Sequence, residues 1–304
     1  MRRSRFARAL QDHPNTRSLH AQPVPRIGGL GMAAGLTAAF VLTLLMGQPA
    51  GMLAPTWLLL APGYGALVLL SVVDDHRPLP ARVRLPVHLV VCAAWLAVSA
   101  VPLAWIAPMA LGLAWCANLF NFMDGADGLA GGMAVAGFGA FAAAGALAGD
   151  ATLAVVSASL VAAALGFLRF NRPPASLFMG DAGSVPLGFA AGAIGVMGVR
   201  DGLWSPAFPL IAFFPFVFDA SLTLARRILT GQRFWLAHRE HLYQRLVLAG
   251  MSHRALALRA WALMGLCAVL ALVTRQQPVQ AWAVLGVLCV VGLGWAWRVW
   301  GRSS

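Results

Sequence analysis

Long apolar runs dominate this sequence and constrain what it can fold into. Ten of them are each roughly 17 to 21 residues long, the length of a helix that spans a hydrocarbon core of about 30 Å. Hydrophobic residues make up 60% of the 304 residues, well above the share in soluble domains. We therefore predict an all-α, polytopic integral membrane protein with about ten transmembrane helices. The predicted spans are 27–46, 57–73, 86–101, 104–122, 129–149, 151–168, 184–199, 207–224, 258–274 and 279–299.

The placement of arginine predicts the orientation of these spans. All 22 basic residues are arginine, and none is lysine. If the N-terminus is cytoplasmic and the chain crosses ten times, only Arg200 and Arg275 fall in outer loops, in line with the positive-inside rule. Both termini are then cytoplasmic, and the net charge of +12 reflects orientation and attraction to anionic headgroups. Because no soluble domain carries a concentrated basic face, we expect no nucleic-acid partner.

The acidic residues collect on the predicted inner side. Of the ten, only Asp150 and Asp201 lie outside. Acidic residues contribute little to membrane orientation, so this bias indicates another cause, which we take to be function. We treat residues 1–304 as a single membrane domain whose function lies in five inner segments. These segments are 1–26, 74–85, 118–128, 169–183 and 225–257.

The first inner segment contains HPNTRSLHAQPVPRIGGLGM. It places Arg17, His20 and Arg26 ahead of Gly28 and Gly29. The cationic side chains suit a phosphate, and the glycines would allow a close backbone approach to it. Ordinary positive-inside flanking followed by a tight turn explains the same residues, so the pattern leaves both interpretations open.

The stretch SVVDDHRPLP places Asp74 and Asp75 side by side at the end of an apolar run. Adjacent carboxylates repel each other unless a cation lies near them, which favours a magnesium or proton-transfer site. The alternative is a solvated helix end that is neutralised by Arg77, Arg82 and Arg84.

The motif NLFNFMDGADGLAGG carries Asp124 and Asp127, which share one face if the segment is helical. Each is followed by a glycine, where backbone N–H groups can face a ligand, and Asn118 and Asn121 lie at the same inner end. Close helix packing explains the glycines but leaves the two acids and two amides unexplained.

The motif FNRPPASLFMGDAGS places Asp181 between glycines, with Phe178 three residues ahead. A carboxylate on such a turn suits a divalent cation, and an exposed aromatic ring can stack on a nucleobase. A polar turn with an interfacial aromatic anchor is the alternative.

The motif AHREHLYQRLVLAGMSHR places His238 and His241 at helical spacing. They could bind a transition metal, but Glu240 is the one acidic residue close in sequence. Binding of a phosphate with help from Arg239 and Arg245 fits the pattern better. An amphipathic basic helix on an anionic leaflet is the alternative.

All five motifs fall on one side of the membrane under this topology. Carboxylates, a Mg²⁺ ion, arginines and histidines at one membrane surface describe a site for a polyanion, and a cytosolic pyrophosphate is the natural candidate. In this order, PVPRIGG, VVDDHRPLPARVR, NLFNFMDGADGLAGG, FNRPPASLFMGDAGS and AHREHLYQRLVLAG resemble the polyprenyl-phosphate N-acetylhexosamine-1-phosphate transferase superfamily over nearly the full chain.

This resemblance implies an enzyme of the bacterial cytoplasmic (inner) membrane with its active site facing the cytoplasm. It would transfer an N-acetylhexosamine 1-phosphate from a UDP-sugar to undecaprenyl phosphate and release UMP, as the initiating step of O-antigen or a related envelope glycan. The implied cofactor is Mg²⁺, with Mn²⁺ as the alternative ion. The identity of the sugar and the formation of a homodimer stay open.

The resemblance also implies residue roles. Asp74, Asp75, Asp181 and His238 would be catalytic, with Asp181 and Asp74 as the metal ligands. The lipid phosphate is largely dianionic at neutral pH, so we expect Asp74 to orient the nucleophile or metal, and a covalent aspartyl-phosphate ranks second. The implied substrate-binding residues are Asn121, Asp124, Asp127, Asn171, Phe178, His241, Arg245, Arg17, His20 and Arg26.

Two departures from the family pattern bear on these expectations. Many relatives carry an additional helix before the first motif, so we expect either a truncated start or a variant without that helix. The chain reads HREHLYQ where the peptidoglycan enzyme, the phospho-N-acetylmuramoyl-pentapeptide transferase, has consecutive histidines. This favours the surface-polysaccharide branch, with the peptidoglycan-type transferase as the alternative. A transporter of an anionic lipid or nucleotide sugar is the alternative from another class, and it would place charges within the membrane with access from both faces.

Overall fold

The computed structural model describes residues 11–12, 23–47, 49, 51–233, 236 and 238–301. Regular structure within these residues is helical apart from one antiparallel pair of two-residue strands, which aligns residues 11 and 12 with 25 and 24. The elements in chain order are β1 Gln11–Asp12, β2 Val24–Pro25, α1 Gly28–Leu45, α2 Pro55–Leu58, α3 Leu60–His76, α4 Ala81–Val98, α5 Leu103–Phe122, α6 Leu129–Ala148, α7 Ala151–Asn171, α8 Asp181–Arg200, α9 Ala207–Ala212, α10 Phe214–Leu229, α11 Leu242–Leu248, α12 His253–Thr274 and α13 Pro278–Gly301.

Nine helical segments in the described part of the chain are long and apolar enough to cross a membrane. They are α1, α2 with α3, α4, α5, α6, α7, α8, α12 and α13. Large apolar side chains cover the outer surface, among them Leu45 (79% exposed), Leu103 (85%) and Val279 (83%). A continuous apolar surface of this kind is suited to lipid and not to water. The prediction of an all-α, multi-pass membrane protein is confirmed.

The predicted span 207–224 differs from the others because it is two short helices, α9 and α10. The helices separate at Phe213, which ends one and precedes the other. Pro209 lies inside α9, and Pro215 lies in the first turn of α10, where its missing N–H leaves no intrahelical hydrogen bond unmade. Neither helix alone has the length of a membrane span, although the sequence predicted one continuous helix.

The α9–α10 pair nevertheless joins opposite ends of the bundle. Leu203, just before α9, accepts a hydrogen bond from Gln276 Nε2 (3.2 Å), beyond the end of α12. Asp219 of α10 accepts one from the Leu242 N–H (2.9 Å), before the start of α12. In the described residues, the chain thus crosses the bundle ten times, and one crossing is broken.

The two ends of the bundle carry different charges. We name the end where α3 finishes and α8 begins the site end, and the opposite end the far end. At the far end, Arg200 pairs with Asp201 (2.6 Å) and donates to Ser99 O (3.1 Å). Among the described arginines, Arg200 and Arg275 alone lie at the far end, in agreement with the predicted topology. Which end faces the cytoplasm stays a prediction.

Helix α8 forms the centre of the bundle and packs against α1, α3 and α5. Glycines allow these helices to approach closely. A Cβ atom on Gly188 would lie 2.2 Å from the Cys116 carbonyl oxygen of α5, and one on Gly183 would lie 2.7 Å from Gly29 Cα of α1. Small residues at helix contacts are typical of membrane bundles. This packing positions the start of α8, which carries Asp181, against the start of α1.

We predict that Gly188→Ala destabilises the protein by about 1–3 kcal/mol, because the added methyl group would meet a helix backbone that has no room to move. The matched control is Gly166→Ala in α7, where no atom lies within 4 Å of the added Cβ. The control should be neutral or slightly stabilising, since alanine favours helix over glycine. Thermal unfolding of both variants in detergent measures the difference. Equal stability of the two variants would contradict the close packing of α8 on α5.

Candidate active site

Asp74 and Asp75 lie in the last turn of α3, at the site end of the bundle. Asp74 accepts a hydrogen bond from the Leu79 N–H (2.5 Å) and pairs with Arg84 Nη1 (2.7 Å) in the first turns of α4. The Asp74 side chain is only 9% exposed. Arg84 Nη1 also lies 3.7 Å from Asp181 Oδ2. Arg84 therefore links the carboxylates of α3 and α8.

Asp124 joins the same group from the loop between α5 and α6. Its carboxylate accepts a hydrogen bond from the Gly180 N–H, and its charged neighbours are Arg26, Asp181 and Asp75. Burial raises the pKa of Asp124 well above its usual range, Arg26 opposes the increase, and the charges of Asp181 and Asp75 add to it. The four acidic side chains Asp74, Asp75, Asp124 and Asp181 outnumber the neighbouring Arg26 and Arg84, and a cation would relieve this excess of negative charge. We name Asp74, Asp75, Asp124 and Asp181 the carboxylate cluster.

The glycines at the start of α1 contact the protein's own backbone. Gly28 N donates to Phe178 O (2.9 Å), and Gly29 N donates to Met179 O (2.8 Å). The sequence suggested that these glycines let the backbone approach a phosphate. In the structure, their close approach is instead to residues 178–180, and it fixes the segment that leads into Asp181.

Asp127 does not share a helix face with Asp124, because residues 123–128 form a loop. Its Oδ2 accepts a hydrogen bond from the Ala175 N–H (2.9 Å), and its Oδ1 lies 3.4 Å from His253 Nδ1 at the start of α12. The two acids of this motif therefore have different partners. Asp124 belongs to the carboxylate cluster, and Asp127 contacts Ala175 and His253.

Asn171 is buried, with 3% of its surface exposed. Its Oδ1 accepts from the Gly128 N–H (2.9 Å), and its Nδ2 donates to Leu177 O (2.9 Å). Both ends of the side-chain amide are used in holding two loops together. We therefore assign Asn171 to positioning the loops that carry Asp127 and Phe178, in place of the substrate contact that the resemblance implied.

Asp219 organises a second group of polar side chains near the carboxylate cluster. Its carboxylate accepts hydrogen bonds from the N–H groups of Leu242 (2.9 Å) and Tyr243 (3.2 Å), and it lies 3.3 Å from His241 Nδ1. A carboxylate at a helix N-terminus satisfies free N–H groups and complements the helix dipole, so Asp219 fixes the start of α11. No sequence motif assigned a role to Asp219. The feature that could have identified Asp219 is its position as an acidic residue inside a predicted membrane span.

His241 and Tyr243 contact the segment that carries Asp124. Tyr243 Oη donates to Phe122 O (3.0 Å), and the His241 ring stacks on the Phe122 ring with centroids 6.0 Å apart. The His238 ring lies 4.9 Å from the His241 ring. The histidine motif and the carboxylate cluster thus meet through the end of α5.

Glu240 pairs with Arg226 (3.3 Å) and with the buried Arg227, and its backbone oxygen accepts from Arg245 Nε (3.3 Å). The acid that lies between the two histidines in sequence is therefore engaged with arginines. Arg245, predicted to bind substrate, lies on α11 in contact with this pair.

The structure brings most of the predicted site residues to one end of the bundle. Arg26 lies beside Asp124, while Asn121 and Phe178 are half-buried in the two segments that flank it. Arg17 and His20 lie outside the described residues. Arg84 is the main addition, since the sequence analysis considered it only as a neutralising charge. It both neutralises Asp74 and reaches Asp181.

In the part of the chain that the structure describes, five membrane-spanning helices begin at the site end, namely α1, α4, α6, α8 and α12. A helix N-terminus presents free N–H groups and the positive end of its dipole, which favour anions. Together with Arg26 and Arg84, these helix ends suit a ligand that carries several negative charges, such as a pyrophosphate.

The carboxylate oxygens fit a hard divalent cation. Within the described residues, no three His, Cys, Asp or Glu side chains form a site that could hold a metal by themselves. Mg²⁺ does not need such a site, because proteins usually bind it through one or two carboxylates together with substrate phosphates and water. The excess negative charge around Asp124 is consistent with an ion at this position.

Comparisons with known proteins identify relatives of this chain. Residues 57–199 match the model of the family described as glycosyl transferase family 4. A probable undecaprenyl-phosphate N-acetylglucosaminyl 1-phosphate transferase of Bacillus subtilis is 28% identical over 261 residues, covering 80% of this chain and 71% of the relative. A decaprenyl-phosphate N-acetylglucosaminephosphotransferase of Mycobacterium leprae is 30% identical over 302 residues, covering 84% and 74%. A phospho-N-acetylmuramoyl-pentapeptide-transferase of Symbiobacterium thermophilum is 48% identical over 82 residues, covering 27% and 25%.

The environment of His238 predicts a pH dependence of stability. Burial lowers the pKa of His238 from 6.5 to about 4, with contributions from His241 and Arg227. The unfolded chain therefore binds a proton at a higher pH than the folded chain, and stability is lost as the pH falls from about 6.5 to about 4. His238→Gln should reduce this pH dependence by up to about one proton per molecule.

The unfolding temperature measured in detergent between pH 7.5 and 4.5 tests this prediction. The matched control is His76→Gln, which replaces an exposed histidine at the same end of the bundle. The pH dependence of the His238 variant is compared with that of this control. An unchanged slope in the His238 variant would contradict the predicted protonation behaviour.

Proposed function

The chain belongs to glycosyl transferase family 4, and on this premise we propose that it transfers an N-acetylhexosamine 1-phosphate from a UDP-sugar to undecaprenyl phosphate. The products would be undecaprenyl-pyrophosphoryl-sugar and UMP. The observation that carries this proposal is the carboxylate cluster between Arg26 and Arg84 at the end of a membrane bundle. A lipid-borne phosphate reaches a site at this depth by lateral diffusion, while the nucleotide sugar arrives from water.

The proposed reaction is a phosphoryl transfer. An oxygen of the lipid phosphate forms a bond to the phosphorus that bears the sugar, and the bond from that phosphorus to the UMP oxygen breaks. Because the lipid phosphate is largely dianionic near pH 7, it needs little deprotonation, and the protein contributes mainly positioning and charge neutralisation. Arg26 and the N-termini of the helices that begin at the site end would neutralise phosphate charge.

Mg²⁺, when bound, would neutralise negative charge on the phosphates of the substrates. Asp181 would hold the ion. Asp75 and Asp124 would be the neighbouring carboxylates, since Asp75 and Asp181 are both charged neighbours of Asp124. Asp74 was also expected as a ligand, but it is paired with Arg84 and the Leu79 N–H. We therefore propose that Asp74 and Arg84 form a unit that orients the attacking phosphate.

The nucleotide would lie along the segment that carries Phe178 and against the loop that carries Asp124. The half-buried Phe178 ring offers a face for uracil, and its backbone is fixed by hydrogen bonds to Gly28 and Pro25. Asn121 and Asp127 would help to bind the nucleotide end of the UDP-sugar. His238 and His241, which contact the end of α5, would face the sugar or its phosphate.

We propose the initiation of O-antigen or a related cell-envelope glycan as the biological role, in the bacterial cytoplasmic membrane with the site end facing the cytoplasm. The excess of arginine at the site end supports this orientation. The names of the relatives that match most of the chain support an N-acetylglucosamine donor.

Two alternative functions are supported less. The match to a muramoyl-pentapeptide transferase covers only 27% of the chain. A transporter is supported less because the described acidic side chains collect at one end of the bundle, and the two at the far end are Asp150 and Asp201.

The experiment that tests this proposal is UMP release by the purified protein in detergent. The assay contains undecaprenyl phosphate, Mg²⁺ and one of several UDP-N-acetylhexosamines. We expect release that requires both lipid and metal and that is fastest with one sugar. Asp181→Asn is the control, and it should abolish release while keeping the unfolding temperature of the unmodified protein. Release that is independent of the lipid, or absent with every donor from folded protein, would contradict the proposal.

We predict that Asp74→Asn lowers turnover on the order of a hundredfold, because a poorly oriented nucleophile loses most of the advantage of positioning. The affinity for UDP-sugar should change by no more than about twofold, since Asp74 is not in the nucleotide segment. Steady-state kinetics and direct binding of the nucleotide sugar measure the two quantities. Equal losses of turnover and affinity would argue against a role in orienting the lipid phosphate.

A further inference from the structure

A pocket opens at the site end, apart from the carboxylate cluster. Its volume is about 580 Å³, and it lies between the end of α7, residues 172–176 and the start of α12. None of the acidic residues of the carboxylate cluster lines it, and neither do His238 or His241. It therefore requires an explanation of its own.

The pocket is cationic. Arg169, Arg172 and Arg254 line it, all three are exposed, and no acidic residue lines it. Among the described residues, none of these arginines forms a salt bridge with a carboxylate. Three unneutralised arginines around one concave surface favour an anion, and guanidinium groups suit phosphate oxygens in particular.

Apart from Ser176, the other lining residues are apolar, and two of them continue onto the exposed apolar surface of the bundle. Leu258 is 54% exposed and Phe170 is 45% exposed, and both lie near the ends of membrane-spanning helices. The indole of Trp261 forms another wall. A ligand with an anionic head and an apolar body would match both parts of this surface. Basic pockets between transmembrane helices at the membrane surface are suited to anionic lipid headgroups.

We propose that this pocket binds the headgroup of an anionic phospholipid, with Arg172 and Arg254 on its phosphate and the acyl chains along Leu258 and Phe170. A free phosphate would use the arginines alone and leave the apolar wall without a partner. The exposed apolar side chains beside the arginines therefore favour a lipid over a soluble phosphate.

The pocket is connected to the loop that carries Asp127. Trp261 Nε1 donates to Gly128 O (2.8 Å), and the indole packs so closely on α6 that a Cβ atom on Gly132 would lie 2.2 Å from it. On the other side, Ala175 N donates to Asp127 Oδ2 (2.9 Å) from the segment that lines the pocket. A lipid bound here would brace both attachments of this loop.

The test is lipid binding by the purified full-length chain in a neutral detergent, measured by native mass spectrometry. Phosphatidylglycerol is the anionic probe, phosphatidylcholine with the same acyl chains is the zwitterionic control, and inorganic phosphate represents a soluble anion. We expect phosphatidylglycerol to bind at least about tenfold more tightly than phosphatidylcholine, because the arginines attract its net negative charge. Inorganic phosphate should compete only weakly.

The variant Arg172→Gln with Arg254→Gln should weaken phosphatidylglycerol binding about 25-fold, or about fivefold for each arginine. Its matched control is Arg298→Gln, an exposed arginine at the site end of α13 and outside the pocket. The control should change binding by less than about twofold. A variant with lysine at positions 172 and 254 should bind more tightly than the glutamine variant, because the positive charge is retained.

Three results would overturn the proposal. They are equal binding of the two phospholipids, equal affinity for inorganic phosphate and phosphatidylglycerol, and an equal loss of binding in the Arg298 control. Because all the substituted arginines are exposed, the variants should unfold at the same temperature as the unmodified protein without lipid. A lysine variant that unfolds normally but has lost lipid binding would also argue against an electrostatic headgroup site.

Discussion

Repulsion among the carboxylates at the site end is the interaction on which the rest of the site depends. Arg84 neutralises the charge of Asp74. Arg26 and a backbone N–H favour the charged form of Asp124. Asp181 begins α8, where the helix dipole favours a negative charge. These partners lower the repulsion, while burial, and to a smaller extent the charges of Asp181 and Asp75, raise the pKa of Asp124. A cation with bound phosphates would complete this charge balance, which is why we propose that metal and substrate bind here together.

The position of these charges follows from the packing of α8. Its backbone lies against α1 at Gly183 and against α5 at Gly188, with no room for a side chain at either contact. Hydrogen bonds from Gly28 and Gly29 then hold residues 178–180, the segment that leads into the helix. Chemistry and packing are therefore coupled, because a shift of α8 along its neighbours would move Asp181 relative to Asp124.

Several features were predictable from the sequence, and others were not. The sequence placed the acidic motifs at one end, and their contacts confirm this. It left open whether the glycines of α1 approach a phosphate or form a tight turn, and in the structure they contact the chain's own backbone. It would place Asp124 and Asp127 on one face if their segment were helical, but residues 123–128 form a loop that separates them. It also overlooked Arg84 as a link between Asp74 and Asp181, because such a link requires the relative positions of three helices.

By itself, the sequence determined the helical membrane class, most of the spans and the charge difference between the two ends. These properties depend on apolar length and arginine placement, which act locally along the chain. Only the tertiary structure decided which side chains meet. Asp127 contacts Ala175 and His253, and Asp219 fixes the start of α11, so their partners are brought close by loop conformation and helix packing. Such contacts depend on where distant segments lie in three dimensions, and no local pattern of residues specifies that.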